Sequence, residues 1–325
     1  MIDKKKILLS IGIAAFNSEK TIEMCLDSIL SQASANVEVV FVDDGSLDKT
    51  FLIAREKLCS SGIPFSCSRH EKNVGIALTR KEIIESSNGE YLTWLDSDDA
   101  LCDDSIELIL HYIRSSIKPT GFIYNAIIKK KKKKRLLYNY RNYCLNSNSA
   151  VDYISTDTLF KSYPWTTVVP TKLIPSIALP ANPIDYVDDQ LIVHTFFSNV
   201  QVVQYISKPI CEHIIYESSD SHNSLFFIRL SRTFDYLYKQ ATEHNSLIKN
   251  VRKIDFLKSF YHSIYLSSSH TKNVRKVVMK ESRSQRKKGE VKKILSKASM
   301  KVKIEYLTFI YFPMLFYLFY RRKTR

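Results

Sequence analysis

The amino-acid sequence predicts an α/β fold, a mostly parallel central sheet with helices on both faces, followed by a helical, basic and apolar C-terminal tail. Three observations carry that expectation. Continuous apolar runs of strand length, Ile7 to Ala15, Val37 to Val42 and Tyr91 to Leu95, have the composition of strands buried on both faces. Segments with apolar residues at three- and four-residue spacing separate them. Two of the runs end in carboxylates, at Asp43-Asp44 and at Asp96, Asp98 and Asp99, and a parallel sheet brings such ends to one edge.

Each element follows from local pattern. Ile7 to Ala15 is the first strand, and Ser18 to Gln32 is a helix whose Ile22, Leu26, Ile29 and Leu30 share one face. Val37 to Val42 completes a β-α-β unit. A second helix is expected from Asp48 to Ser60, a short strand at Phe65 to Ser68, a third helix at Gly75 to Ser87 and a strand at Tyr91 to Leu95. Asp103 to Ser115 reads as a helix, Gly121 to Ile128 as a strand, and Lys129 to Arg135 as a solvated turn or loop. Residues 136–225 are mixed and broken by Pro164, Pro170, Pro175, Pro180 and Pro183, with a helix from Gln190 to Phe197 and a strand near Val200 to Ile206. Residues 226–269 are aromatic-rich and expected to be helical. In the tail, Val291, Ile294, Leu295, Ala298 and Val302 alternate with lysines as a basic amphipathic helix, and the uncharged stretch Tyr306 to Tyr320 follows.

At 325 residues, with 45% hydrophobic residues and only 7 Gly and 9 Pro, the chain has the makings of a full core, which excludes disordered and collagen-like classes. The net charge of +15 is unevenly placed. Residues 1–128 carry 13 Lys and Arg against 19 Asp and Glu, the run Lys129 to Arg135 is wholly basic, and residues 270–325 carry 17 basic residues against 3 acidic. The basicity belongs to one loop and one tail, away from the carboxylate-bearing half, so a nucleic-acid partner is not expected. A basic tail beside an apolar segment suits an anionic membrane surface instead. The six cysteines are scattered without metal-ligand spacing, which fits a reducing, cytoplasmic setting.

The carboxylates carry the chemistry. Asp96, Asp98 and Asp99 at one strand end repel one another and lose hydration, and a divalent cation relieves both costs; hard oxygen ligands suit Mn²⁺ or Mg²⁺ holding a diphosphate. The structural alternative is a helix N-cap, from Asp99 or Asp103. A second acidic strand end, Asp43-Asp44-Gly45-Ser46 followed by Asp48, lies one β-α-β step upstream, where one site can hold a base or ribose while the other holds a metal.

These residues resemble a known family. The segments Ile11 to Asn17, Ser28 to Gln32, Glu38 to Thr50, Asn73 to Arg80 and Asn88 to Asp99 look like the family 2 glycosyltransferases of the GT-A fold, with Phe16 where Tyr is usual and Lys81 where Asn is usual. The resemblance implies an inverting enzyme using a nucleotide-sugar donor, UDP-linked by expectation, and a saccharide or lipid-linked acceptor. It implies a donor site at Ala15, Phe16, Asn17, Asp43, Asp44, Arg80, Asp96 and Ser97, with Asp44 accepting from the imide N–H of uracil. It implies metal ligation by Asp96, Asp98 and Asp99. The matching position for a catalytic base is Asp189, with Asp188 as fallback, although Asp189 also suits a helix N-cap. Trp165 and Tyr186 are candidates to stack on an acceptor sugar, against the alternative that they are core, and His213 and His222 could contact diphosphate or metal.

The implied organisation is a catalytic domain over 1–225, with nucleotide-sugar binding at 7–105 and the acceptor side at 136–225, a helical extension over 226–289 and a membrane-associating tail over 290–325. The expected location is cytoplasmic, peripheral on the inner face of the cell membrane, in surface polysaccharide synthesis. A haloacid-dehalogenase-like phosphatase also uses Asp-x-Asp after a strand but leaves Asp43 to Ser46 and Asn17 unexplained. A non-enzymatic basic protein that binds nucleic acid or membrane accounts for the lysines and not for the carboxylates.

Overall fold

A computed structural model of the chain describes residues 6–32, 34–116, 120–138, 141–146, 163–174, 188–215, 233, 283 and 300–315. The chain divides into two compact units. The first comprises residues 1–151, 162–184 and 188–217, and the second residues 152–161, 185–187 and 218–325.

The first unit opens with β1 (Leu9–Ala15), α1 (Ile22–Leu30), β2 (Val37–Asp43), α2 (Thr50–Ser60), β3 (Phe65–Arg69), α3 (Ile76–Ser86) and β4 (Tyr91–Trp94). Every residue of β2 and β4 is buried, the outcome expected of apolar runs with no solvent-facing alternation. A short β5 (Ala100–Leu101), α4 (Ser105–Ser115), β6 (Thr120–Lys130), β7 (Lys133–Leu136), β8 (Tyr143–Asn146), β9 (Thr167–Pro170), α5 (Asp188–Asn199) and β10 (Val202–Ile214) follow, with 3₁₀ turns at Pro164–Thr166 and Thr171–Leu173.

The strands form one sheet in the order β3-β2-β1-β4-β9-β6-β10-β5, with β7 on β6 and β8 on β10. The pairs β2–β3, β1–β2, β1–β4 and β6–β10 are parallel. Because β9 lies antiparallel between β4 and β6, β6 and β10 run in the same direction as β4. The carboxyl ends of β1, β2, β4, β6 and β10 therefore share one edge, and the strand order reverses about β1, which opens a crevice there. Beneath it Leu9, Ile11 and Ile13 of β1, Phe41 of β2 and Leu26 and Ile29 of α1 are wholly buried, so the strand ends project from a packed core.

One segment departs from expectation. Lys129 to Arg135 is no solvated loop: β6 runs on through Lys130 and turns at Lys131-Lys132 into β7, with Lys130 opposite Lys133 and Lys129 opposite Lys134. Pairing with β10 extends the strand beyond its apolar part, since Ile214 stands opposite Lys129 and the Ile215 N–H donates to the Lys129 carbonyl at 2.9 Å. Glu212 of β10 pairs with Lys129 at 3.6 Å and with Lys134, which offsets part of the repulsion between them.

In the second unit the described structure is chiefly α6 (Met300–Tyr311), with Pro313 following it. Among the described residues no helix is long and apolar enough to cross a membrane. The helices expected within 226–269, and Lys292 to Lys297 of the tail, lie outside the described residues, as do Tyr186 and His222.

Candidate active site

The loop after β2 is built around two aspartates with different tasks. Asp43 is fully buried: its carboxylate accepts from the Ser46 N–H at 3.2 Å and the Ser46 hydroxyl, and pairs with Arg69 Nε at 3.2 Å. Asp43 thus shapes the turn instead of facing a ligand. Gly45, at φ +72°, is obligatory there, since a Cβ would stand 2.6 Å from the Lys72 carbonyl carbon. Asp44 accepts from the Val74 N–H at 2.8 Å and the Gly75 N–H at 2.9 Å, and His70 Nδ1 lies 2.9 Å from Oδ1.

The end of β1 is tied to the same loop. Asn17 sits in the left-handed region at φ 50°, its N–H donates to Ser46 Oγ at 2.8 Å, and its side-chain oxygen accepts from the Leu47 N–H at 2.9 Å. Ala15 is buried, and its carbonyl accepts from the Asp44 N–H at 2.8 Å, whereas Phe16 is 45% exposed beside it. Ser97 is joined to Ser18 by a 2.8 Å hydroxyl pair, so the β1 and β4 ends are fastened across the crevice.

Arg80 links the distant parts of the site. It projects from α3, is buried, and reaches Asp96 Oδ1 through Nη2 at 3.1 Å and Asp189 through Nη1. Its guanidinium also lies over Trp94, 5.8 Å from the ring centroid. One cation thereby holds Asp96, the second residue after β4, and Asp189 of α5, 109 positions downstream of Arg80 itself. Burial pushes the Asp189 carboxyl above its ordinary pKa, and the Arg80 charge works against that rise. Asp188 is the first residue of α5.

Asp99 has a different role from the one its motif suggests. It is fully buried, its Oδ1 accepts from the Ile214 N–H at 2.8 Å and its Oδ2 pairs with His213 Nδ1 at 2.8 Å. Burial raises its pKa to about 6, with His213 opposing. Asp98 is also raised, through burial. For His213, burial disfavours the charge, but the hydrogen bond to Asp99 and the negative charges of Asp99, Asp96 and Asp98 together outweigh it and the net shift is upward.

Trp165 does not offer a platform to a sugar. It is 3% exposed, with Tyr163 stacked 4.8 Å from one side and His213 at 4.9 Å, so its indole serves as packing that fixes the His213 ring. His213 itself is the residue that sequence reasoning undervalued. A histidine at the end of a strand carries no local signal, and only the parallel pairing of β10 with β6 brings it to the acidic edge.

Among the described residues no three His, Cys, Asp or Glu side chains converge as a metal cage needs. A magnesium-like ion is more often held by one or two carboxylates together with substrate phosphates, and Asp96 and Asp98 both follow the end of β4. Asp99 lies deeper, fully buried with one hydrogen bond from β10 on each oxygen.

The sequence model described as glycosyl transferase family 2 matches residues 10–162, just under half of the chain. Over those residues the chain is similar to glycosyl transferase family 2. The matched part of the chain is 36% identical over 114 residues to chondroitin synthase of Escherichia coli, covering 35% of this chain and 16% of that protein. It is 34% identical over 108 residues to the Escherichia coli UDP-Glc:alpha-D-GlcNAc-diphosphoundecaprenol beta-1,3-glucosyltransferase WfaP, covering 33% of this chain and 42% of that one. The match thus spans less than half the length of each of these relatives. Among solved structures, S. aureus TarS 1-349 in complex with UDP-GlcNAc superposes with a TM-score of 0.57 at 17% identity, over 80% of this chain and 83% of that one. That likeness is one of fold, and it agrees with the GT-A fold expected from the sequence.

Proposed function

We propose that this chain is an inverting glycosyltransferase that moves a sugar from a nucleotide-diphosphate donor, UDP-linked, to a saccharide or lipid-linked acceptor in the assembly of a surface polysaccharide. The observation that carries the reading is the placement of Asp189 beside Asp96 through the shared Arg80, at the edge where β1, β2 and β4 end. The names of the relatives support it: one makes chondroitin, one takes UDP-Glc to a diphosphoundecaprenol-linked sugar, and TarS was crystallised with UDP-GlcNAc.

In this reading Asp44, Asn17 and Phe16 border the nucleoside, and Asp96 lies beside the ribose and diphosphate. Asp189 accepts the proton of the acceptor hydroxyl as its oxygen bonds to the anomeric carbon; the bond from that carbon to the diphosphate breaks on the opposite face, and the nucleoside diphosphate departs with the electron pair. The Arg80 charge opposes the rise that burial imposes on the Asp189 carboxyl, which favours the ionised form a base needs, and spreads positive charge toward the departing group. A divalent cation held by Asp96 and Asp98 would neutralise the diphosphate. The protein would work at the cytoplasmic face of the membrane, held through its basic tail.

The test is nucleoside-diphosphate release over a panel of nucleotide sugars, with Asp189→Asn as the diagnostic variant. Loss of a general base lowers turnover by about 10² or more while UDP affinity changes little. Wild-type turnover in Asp189→Asn, with Asp188→Asn as the control, would remove Asp189 from that role.

A further inference from the structure

His70 follows β3 and stands between two carboxylates. Its Nδ1 is 2.9 Å from Asp44 Oδ1 and its Nε2 is 2.7 Å from Glu82 Oε2, on α3. An ionised carboxylate only accepts hydrogen bonds, so a ring that meets one at each nitrogen has to donate from both, and only the imidazolium does so. Glu82 is an acceptor: burial disfavours its charge, but hydrogen bonds from Ser68 at 2.5 Å and from His70 hold its pKa below the ordinary value. The other cation of this corner is engaged elsewhere, since Arg69 bonds Asp43 and the Ser46 carbonyl, while Glu71 and Lys72 are exposed.

Asp44 is therefore gripped from two sides. Its Oδ1 takes the Val74 N–H and His70, and among the described residues Oδ2 takes only the Gly75 N–H, which leaves that oxygen with acceptor capacity. We propose that His70, anchored by Glu82, is a positioning residue for the nucleotide donor: as an imidazolium it fixes the Asp44 carboxylate so that Oδ2 is presented to an N–H on the edge of the donor's base. The proposal rests on the reading of Asp44 as the base contact given above.

It has two consequences. Donor affinity depends on the charge of His70, whereas the chemical step, at Asp189, does not. Burial works against that charge, but the hydrogen bonds to Asp44 and Glu82 prevail and the pKa is raised, so the clamp is intact in mildly acid solution and loosens as pH climbs past the ordinary histidine range.

Calorimetric titration of the full chain with UDP, from pH 6 to 8.5, tests this, together with turnover at saturating donor. In the wild type, UDP affinity is expected to fall as pH rises. His70→Gln, which cannot donate to both carboxylates, is expected to bind UDP about tenfold more weakly at pH 6.5, the scale of one charge-assisted hydrogen bond, without that pH dependence and with kcat within about twofold. His70→Arg keeps a permanent two-sided donor, and it should recover most of the affinity and hold it across the range. Wild-type affinity and pH profile in His70→Gln would overturn the proposal, as would a loss confined to kcat. Asp44→Asn separates the two readings. If it abolishes UDP binding while His70→Gln does not weaken it, the base contact stands and His70 alone is excluded; if UDP binds equally well to Asp44→Asn, the base contact fails and the proposal with it.

Discussion

Replacing Arg80 by methionine removes a cation that joins Asp96 and Asp189 while keeping an unbranched side chain against Trp94. Breaking a fully buried ion pair by deleting one partner costs about 3–5 kcal/mol, because the remaining charge is left desolvated. Arg80 is 5% exposed, but Asp96 and Asp189 are 33% and 31% exposed and recover part of their hydration, so about 2 kcal/mol is the expected loss. For a domain of this size that corresponds to about 4–8 °C in melting temperature. The loss should also depend on pH. Without Arg80 the charge that opposes the burial-driven rise of the Asp189 carboxyl is gone, so its folded-state pKa climbs further above the ordinary value. A raised carboxylate pKa means that the folded state holds more protons, so stability is retained at acid pH and falls as pH rises through the folded pKa. Urea unfolding of wild type and Arg80→Met at pH 5 and pH 7.5 should therefore show the larger gap at pH 7.5. A gap below about 0.5 kcal/mol, or one equal at both values, would refute the linking role given to Arg80.

Three further outcomes are expected. With no three-ligand cluster among the described residues, Mn²⁺ alone should bind only weakly, and calorimetry should show it binding well only after UDP is added; tight binding of Mn²⁺ without nucleotide would mean that the protein supplies a complete site. Lys130 and Lys133 are directly opposed on the β6–β7 hairpin, so Lys133→Glu should stabilise the protein by about 0.2–1 kcal/mol in low salt and by less in 1 M NaCl, as read by urea unfolding. Deleting residues 290–325 should leave a folded protein that no longer sediments with anionic liposomes, each surface lysine being worth about 1 kcal/mol there; undiminished sedimentation would place the membrane contact elsewhere.

The sequence by itself determined the strand and helix pattern of the first hundred residues, since burial on both faces leaves apolar runs such as Val37 to Val42 and helices leave spaced ones such as Ile22, Leu26 and Ile29. It also placed Asp43, Asp44, Asp96, Asp98 and Asp99 at one sheet edge, because parallel topology makes strand ends coincide. What each carboxylate does was not written there. Asp43 holds a turn through Ser46, three positions on, whereas Asp44 is bonded by His70 and Asp99 by His213, donors 26 and 114 positions away. The basic run was legible as charge but not as a hairpin, because lysine has no strand preference of its own and it was pairing of β6 with β10 that drew those residues into the sheet. Trp165 was legible as a large aromatic, and only packing decided that its faces meet Tyr163 and His213 in place of a sugar. Local pattern follows from backbone periodicity and burial, which neighbouring residues encode, whereas the partner of a buried charge is set by which distant elements the sheet brings together, and only the tertiary structure decides that.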